Sequence, residues 1–235
     1  FFFHADAGIR DAQESRGLGD VYKRQIVTIT AGPTREQIDP VRFISNNSSG
    51  KMGYSIAEAA LELGATVNLV SGPVSLKADK SINLIKVNSA NQMLESVMNC
   101  MSDSDIFIGC AAVSDFKPSD YSESKIKKDS ADNLDIKLEK NKDILSIVSD
   151  KFPTAYVVGF AAETSNVKEN AKSKLISKNL NMIISNDVSD KSIGFDVDEN
   201  EVNVITKDEI IFLKRDKKIR IARNVLKTIV AEINN

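Results

Sequence analysis

The twelve residues Arg42-Phe-Ile-Ser-Asn-Asn-Ser-Ser-Gly-Lys-Met-Gly53 pair side chains that can hold an anion with a backbone that can approach one closely. Ser48, Ser49, Gly50 and Gly53 are small, so little stands between main chain and ligand. A helical pattern, Tyr54 to Leu63, follows at once. Unpaired N–H groups at a helix start attract phosphate or carboxylate. Arg42 and Lys51 add positive charge. Asn46 offers one acceptor and two donors on an uncharged head, which suits holding a polar reaction centre. The alternative for each residue alone is a polar loop with a helix N-cap.

Three further segments carry polar groups at the ends of apolar runs. Gly109-Cys110-Ala111-Ala112-Val113 closes one run in small residues and leads to Asp115. A flat ligand can lie against such a strand tip, with Asp115 accepting from a base, a ribose or a metal-bound water; the other reading is a tight turn with an Asx cap. Gly159-Phe160-Ala161-Ala162-Glu163-Thr164 closes a second run, with Phe160 either core or a base-stacking wall and Glu163 a candidate Mg2+ or substrate contact. Lys125-Ile126-Lys127-Lys128 is a charge run balanced by Asp120, Glu123, Asp129, Asp132, Asp135 and Glu139. It is therefore no nucleic-acid patch, although one lysine can swing onto a triphosphate. Lys174 and Lys178 lie four apart on an expected helix, where like charges are mildly unfavourable unless an anion sits between them.

What is missing narrows the chemistry. The single histidine, His4, lies in an aperiodic start and is set aside. That removes Cys–His and Ser–His–Asp nucleophiles and any His/Cys metal site. Chemistry by positioned charge remains: phosphoryl or nucleotidyl transfer with Mg2+, lysines, an arginine and an amide.

These groups need elements to position them. Ile26–Thr30, Thr66–Val70, Ile82–Val87, Asp105–Val113, Ala155–Ala162 and Asn181–Ser185 read as strands. Helical patterns run Asn88–Met101, with Met93, Leu94, Val97 and Met98 as core, then Lys142–Phe152, Val167–Leu180 and Ile219–Ile233. Glu201–Thr206 and Ile210–Lys214 read as a hairpin. Ala31–Phe43 reads as loop. Ser114–Lys142 is a long polar loop carrying one edge strand, Leu134–Leu138. The expected fold is α/β: three layers, αβα, around a Rossmann-like, mostly parallel sheet with a C-terminal β-hairpin. Ligands then lie at the carboxyl ends of the strands, at Ala31–Arg35, Ser71–Val74, Cys110–Asp115, Ala161–Thr164 and Asn186–Val188.

With a net charge of -2 and 27% charged residues over 235 positions, neither a strongly basic nucleic-acid binder nor a disordered acidic chain is expected. Cys100 and Cys110 make no disulfide framework, which points to a reduced cytoplasmic protein. No apolar run reaches the roughly 18 residues of a membrane span. Residues 1–25 lack a starting Met, a period and signal-peptide order, and resemble translated adapter read-through. The functional domain is accordingly drawn as residues 26–235.

From Ile26 onward the chain resembles the phosphopantothenate–cysteine ligase family, the synthetase half of the bacterial bifunctional coenzyme A biosynthesis protein. The ordered segments AGPTRE, IDPVRFISNNSSGKMG, LVSGPVSL, IFIGCAAVSDF, KIKK, GFAAET and ISNDV carry the likeness. The resemblance implies ligation of 4′-phosphopantothenate with L-cysteine, with CTP as co-substrate, Mg2+, and an acyl-cytidylate intermediate. It implies catalytic roles for Asn46, Arg42 and Lys125, and substrate contacts from Arg42, Asn46, Ser48, Ser49 and Gly50. Gly109, Cys110, Ala111, Asp115, Lys125, Lys142, Asp143, Ile144, Leu145, Phe160, Lys174 and Lys178 would bind the nucleotide. Family members carry proline at the position of Lys142 and commonly histidine at that of Asn47. The resemblance also implies a homodimer and an upstream flavin-dependent decarboxylase domain, and gives no role to nucleic acid or membrane.

Two other readings stand beside this one. Tyr121-x-x-x-Lys125 copies the catalytic pair of short-chain dehydrogenases. About twenty residues separate Thr30 from Gly50, however, where that fold turns directly from strand to glycine loop. A non-catalytic nucleotide-binding module is the third reading.

Overall fold

The computed structural model describes residues 21–127, 134–163, 166–187 and 197–234. Its central element is an eight-stranded sheet. Six strands run parallel: β1 (Ile26–Ala31), β4 (Thr66–Ser71), β5 (Asn83–Lys86), β6 (Ile106–Gly109), β9 (Tyr156–Glu163) and β10 (Met182–Asp187). β11 (Glu199–Ile205) and β12 (Ile210–Lys217) form the antiparallel hairpin at one edge. The spatial order is β12-β11-β10-β9-β6-β1-β4-β5. After β1 the chain moves outward through β4 and β5, then returns to place β6 on the other side of β1. The strand order therefore reverses between β1 and β6.

Helices cover both faces because the central strands are apolar on both. α1 (Lys51–Glu62) and α5 (Lys218–Ile233) bury Ile56, Ala60, Val225 and Ile229 with Val27, Ile29 and Ile108. α2 (Ala90–Met101), α3 (Ile144–Lys151) and α4 (Val167–Ser177) bury Met93, Val97, Val148 and Leu175 with Phe107, Val157 and Ile183. The three-layer αβα arrangement expected from the alternation is thus observed. The Met-rich helix is core at Met93, as its spacing predicts. α2 starts two residues later than the periodicity predicts, at a Ser89–Gln92 capping box.

Two small hairpins stand outside the main sheet. β2 (Arg35–Gln37) pairs with β3 (Phe43–Ser45), inside the segment expected to be loop up to Phe43. β7 (Phe116–Pro118) pairs with β8 (Leu138–Lys140). The edge strand expected at Leu134–Leu138 is displaced: Leu138 opens the observed strand and 134–137 are irregular. Its alternating apolar side chains Leu134, Ile136 and Leu138 are exposed, so no burial enforces strand there. The packed unit also begins before Ile26. Tyr22 is fully buried, and its hydroxyl donates to the Leu226 carbonyl at 3.0 Å. His4, Lys128, Thr164 and Val188 lie outside the described residues.

Candidate active site

The segments that follow β1 and β6 meet at the point where the strand order reverses. Ala112 N–H donates to the Gly32 carbonyl at 2.9 Å and Thr34 N–H to the Ala112 carbonyl at 3.3 Å. Ser114 N–H donates to the Thr34 hydroxyl at 3.0 Å. Asn46, at the end of the β2–β3 hairpin, reaches the same place: its Nδ2 donates to the Val113 carbonyl at 3.0 Å. Ser45 Oγ donates to the Thr34 carbonyl at 2.7 Å, which fixes the residue before it. Asn46 is itself exposed, so its amide faces solvent from a rigid base.

Gly50 closes this loop and starts α1. Its φ of 77° lies in the left-handed region, which glycine adopts without Cβ strain. Gly50, the N-cap, has no side chain with which to cap α1, and its own N–H donates to Ser48 Oγ at 3.3 Å. The helix dipole adds to the pull of this end on an anion. α1 begins at Lys51, three residues earlier than the periodicity predicts, so Lys51 and Gly53 belong to its first turn. Lys51 is paired with Asp198 at 2.8 Å.

Arg42 takes a position that its sequence context does not reveal. Its Nη2 donates to the Ile126 carbonyl at 2.7 Å, and its Nε lies 3.6 Å from Asp39. Asp39 has no exposed surface. It accepts from the N–H groups of Val41 and Arg42 at 2.8 Å each, and from Ile126 N–H at 3.2 Å. Burial pushes the Asp39 carboxyl upward, but the three backbone donors and Arg42 outweigh it and hold it below its ordinary value. Ser122 N–H adds a bond to the Ile38 carbonyl at 3.0 Å. The segment carrying Lys125, itself exposed, is in this way fastened to the β2–β3 hairpin.

The nucleotide-binding candidates divide between the two faces of the sheet. Cys110 and Phe160 pack against the core under α1 and α5. Ala111 and Leu145 pack against the core under α2, α3 and α4, where Ile144 is buried. Leu145 covers Gly109 so closely that a Cβ there would lie 2.8 Å from it. Burial pushes the Cys110 thiol up to about 12, with Lys218 opposing weakly. Asp115 is exposed, and its carbonyl accepts Asn141 N–H at 2.8 Å. Asp143 caps α3, accepting Ser146 N–H at 3.2 Å, beside exposed Lys142.

Lys174 and Lys178 do not converge on each other. Lys174 pairs with Glu163 at 2.7 Å and Lys178 with Asp143 at 2.8 Å. Burial alone would raise the Asp143 carboxyl, but Lys178 and the Ser146 N–H lower it. A phosphate arriving here would compete for cations already held in salt bridges. Among the described residues no three Asp, Glu, His or Cys side chains group as a metal cage. Tyr121 lies in an irregular stretch with Lys125, not on a helix, which removes the helical setting of the dehydrogenase pair.

Sequence reading missed Asp39, which it took only as part of the Ala31–Phe43 loop. The acid three residues before Arg42 was the available signal. It also missed Glu36, a buried carboxylate that accepts the Ala90 N–H at the start of α2, at 2.9 Å.

Comparison with known proteins agrees with this fold. The profile of the DNA/pantothenate metabolism flavoprotein C-terminal domain matches residues 22–233. The coenzyme A biosynthesis bifunctional protein CoaBC of Haemophilus influenzae is 48% identical over 205 residues, 87% of this chain and 51% of its own length. That of Escherichia coli K12 is 46% identical over 207 residues, 87% of this chain and 51% of its own. The chain spans about half the length of these curated relatives. A crystal structure of the C-terminal domain of a CoaBC protein superposes with a TM-score of 0.76 at 42% identity, covering 89% of this chain and 96% of that one.

Proposed function

Because the chain belongs to the DNA/pantothenate metabolism flavoprotein C-terminal domain family, we propose that it joins 4′-phosphopantothenate to L-cysteine, using CTP, in coenzyme A biosynthesis. The observation that carries this reading is the bond from Asn46 to the Val113 carbonyl. It holds the loop after β1 against the loop after β6 at the switch point, where open α/β sheets bind their ligands.

In the proposed reaction a carboxylate oxygen of 4′-phosphopantothenate attacks the α-phosphorus of CTP. Pyrophosphate leaves and an acyl-cytidylate forms. The cysteine amine then attacks the acyl carbon, CMP leaves, and the amine proton passes to solvent. Asn46 orients the reacting carboxyl group, with Arg42 in the same loop. Ser48, Ser49 and Gly50 bring main chain close to the substrate. Lys125 meets the CTP phosphates and offsets the charge that builds on them. Asp115 and the residues that end β6 hold the cytidine. Lys142 to Leu145, Phe160, Lys174 and Lys178 complete the nucleotide site.

Mg2+ is assigned to the nucleotide rather than to a protein cage. One or two carboxylates and substrate phosphates commonly suffice for this ion, and the chain offers single carboxylates such as Asp115. No step is routed through a protein-held metal. A homodimer belongs to the same reading. Exposed Phe116, Leu134, Ile136 and Leu138 on the β7–β8 arm offer apolar surface for a second copy. A cytoplasmic location and an upstream flavin-dependent decarboxylase domain belong to the same reading; the relatives are named bifunctional.

Calorimetric titration with CTP, ATP and NADPH in Mg2+ separates the readings. CTP binding in preference to the other two is expected. NADPH binding alone would return the dehydrogenase reading, and CTP binding without turnover would make the chain a binding module.

A further inference from the structure

Ile126 is held at both ends of its backbone by two residues of a distant loop. Asp39 accepts its N–H at 3.2 Å and Arg42 donates to its carbonyl at 2.7 Å. The two gripping side chains are tied to each other at 3.6 Å, and Asp39 is fastened to its own loop by the Val41 and Arg42 N–H groups. The fully buried Asp39 carboxylate accepts three hydrogen bonds, where an Asp-Pro turn needs only the two local ones. The third, and the Arg42 bond to the Ile126 carbonyl, reach across 87 and 84 residues of sequence to the peptide next to Lys125.

We propose that Asp39 is a positioning residue which, with Arg42, clamps the Ile126 peptide and so fixes the backbone from which Lys125 acts. The role assigned to Lys125 rests on the ligase reading above; the clamp itself does not. Lys125 is an exposed lysine on an irregular segment, and a flexible four-carbon stem alone does not place an ammonium group. A backbone fixed on both sides of its neighbour narrows the volume its Nζ can sample. Arg42 then works in two ways, through its charge in the loop and through its grip on the arm.

Two variants test the clamp from opposite ends. Asp39→Ala removes the carboxylate. Ile126→Pro removes the N–H it accepts, fixes φ at 126, and leaves the Asp39 loop bonds intact. Each is made in the full chain, checked for folding by circular dichroism, and digested with trypsin. Cleavage after Lys127, the site that trypsin can still cut in both variants, is expected to quicken by about tenfold, because the clamped segment opens more often. Unchanged cleavage in folded Ile126→Pro overturns the clamp, whatever the chain catalyses. Turnover then tests the positioning. Asp39→Ala is expected to lose about 100-fold in kcat. The double variant Asp39→Ala/Lys125→Ala should be no slower than Lys125→Ala alone. Losses that multiply would overturn action through Lys125. A wild-type chain that makes no product would instead defeat the ligase reading, while the tryptic result still decides the clamp.

Discussion

The Nδ2 of Asn46 donates to the carbonyl oxygen of Val113, 67 residues away, at 3.0 Å. This bond ties the hairpin after β1 to the strand end of β6 and leaves the Asn46 side chain exposed at the switch point. Asn46→Ala should therefore affect chemistry far more than stability. Losing one exposed hydrogen bond costs about 1 kcal/mol. In the proposed reaction Asn46 also orients the reacting carboxyl group, and losing such a donor costs about 100- to 1,000-fold in kcat. Thermal melting and steady-state kinetics on the same preparation check this, and a large drop in Tm with kcat intact would assign Asn46 to the fold alone.

Gly72 marks the tightest packing beside the site. A Cβ on it would fall 1.7 Å from the Pro33 carbonyl oxygen. Both groups are backbone, so neither can swing aside. Gly72→Ala should destabilise by about 1–3 kcal/mol or more and disturb the loop that carries Pro33 and Thr34. Denaturant titration reads the loss; a midpoint equal to wild type would contradict the close approach.

Cys110 should be a poor nucleophile despite its place among the small residues after β6. Burial raises its thiol to about 12. Iodoacetamide at pH 8 should modify Cys110 slowly in the folded chain and quickly once it is unfolded, as peptide mass spectrometry would record. Rapid labelling of the folded chain would refute the burial argument.

Asp39 carries a pH signature of known sign. Its folded pKa lies below the unfolded value of about 3.9, through its backbone donors and Arg42, which outweigh burial. A lowered acid stabilises the fold fully above the unfolded pKa and loses that contribution as pH falls through the folded one. The Tm gap between wild type and Asp39→Asn should stay constant from pH 5 to 8 and shrink only below about 4. A gap that closes between pH 6 and 7 would mean another group controls the clamp.

The buried strands were legible because their runs are apolar on both faces, as at Ile26–Thr30 and Ile106–Ile108. That signal gave the sheet, its layers and the strand ends. The hairpin of Arg35–Gln37 with Phe43–Ser45 was not legible. Its strands are only three residues long, one of them Arg-Glu-Gln, and Arg35 stacks over Phe43 at 4.6 Å only once the pair has formed. Tyr22 was missed for a related reason: one aromatic in an aperiodic stretch has no period to declare it buried. The split of the nucleotide candidates across the sheet was also hidden, since Phe160 on β9 packs against one core and Leu145 on α3 against the other. Long-range polar bonds such as Asp39 to Ile126 leave no mark on local pattern at all.

We propose that the site between the ends of β1 and β6 joins a carboxylate to cysteine through a nucleotidyl ester. The most direct measurement incubates the chain with 4′-phosphopantothenate, L-cysteine, Mg2+ and either CTP or ATP. Mass spectrometry then follows phosphopantothenoylcysteine and the released monophosphate. Ligated product with equimolar CMP from CTP, abolished in Lys125→Ala and Asn46→Ala, is the predicted result. No product with either nucleotide from folded protein, or product with AMP in preference to CMP, would contradict it.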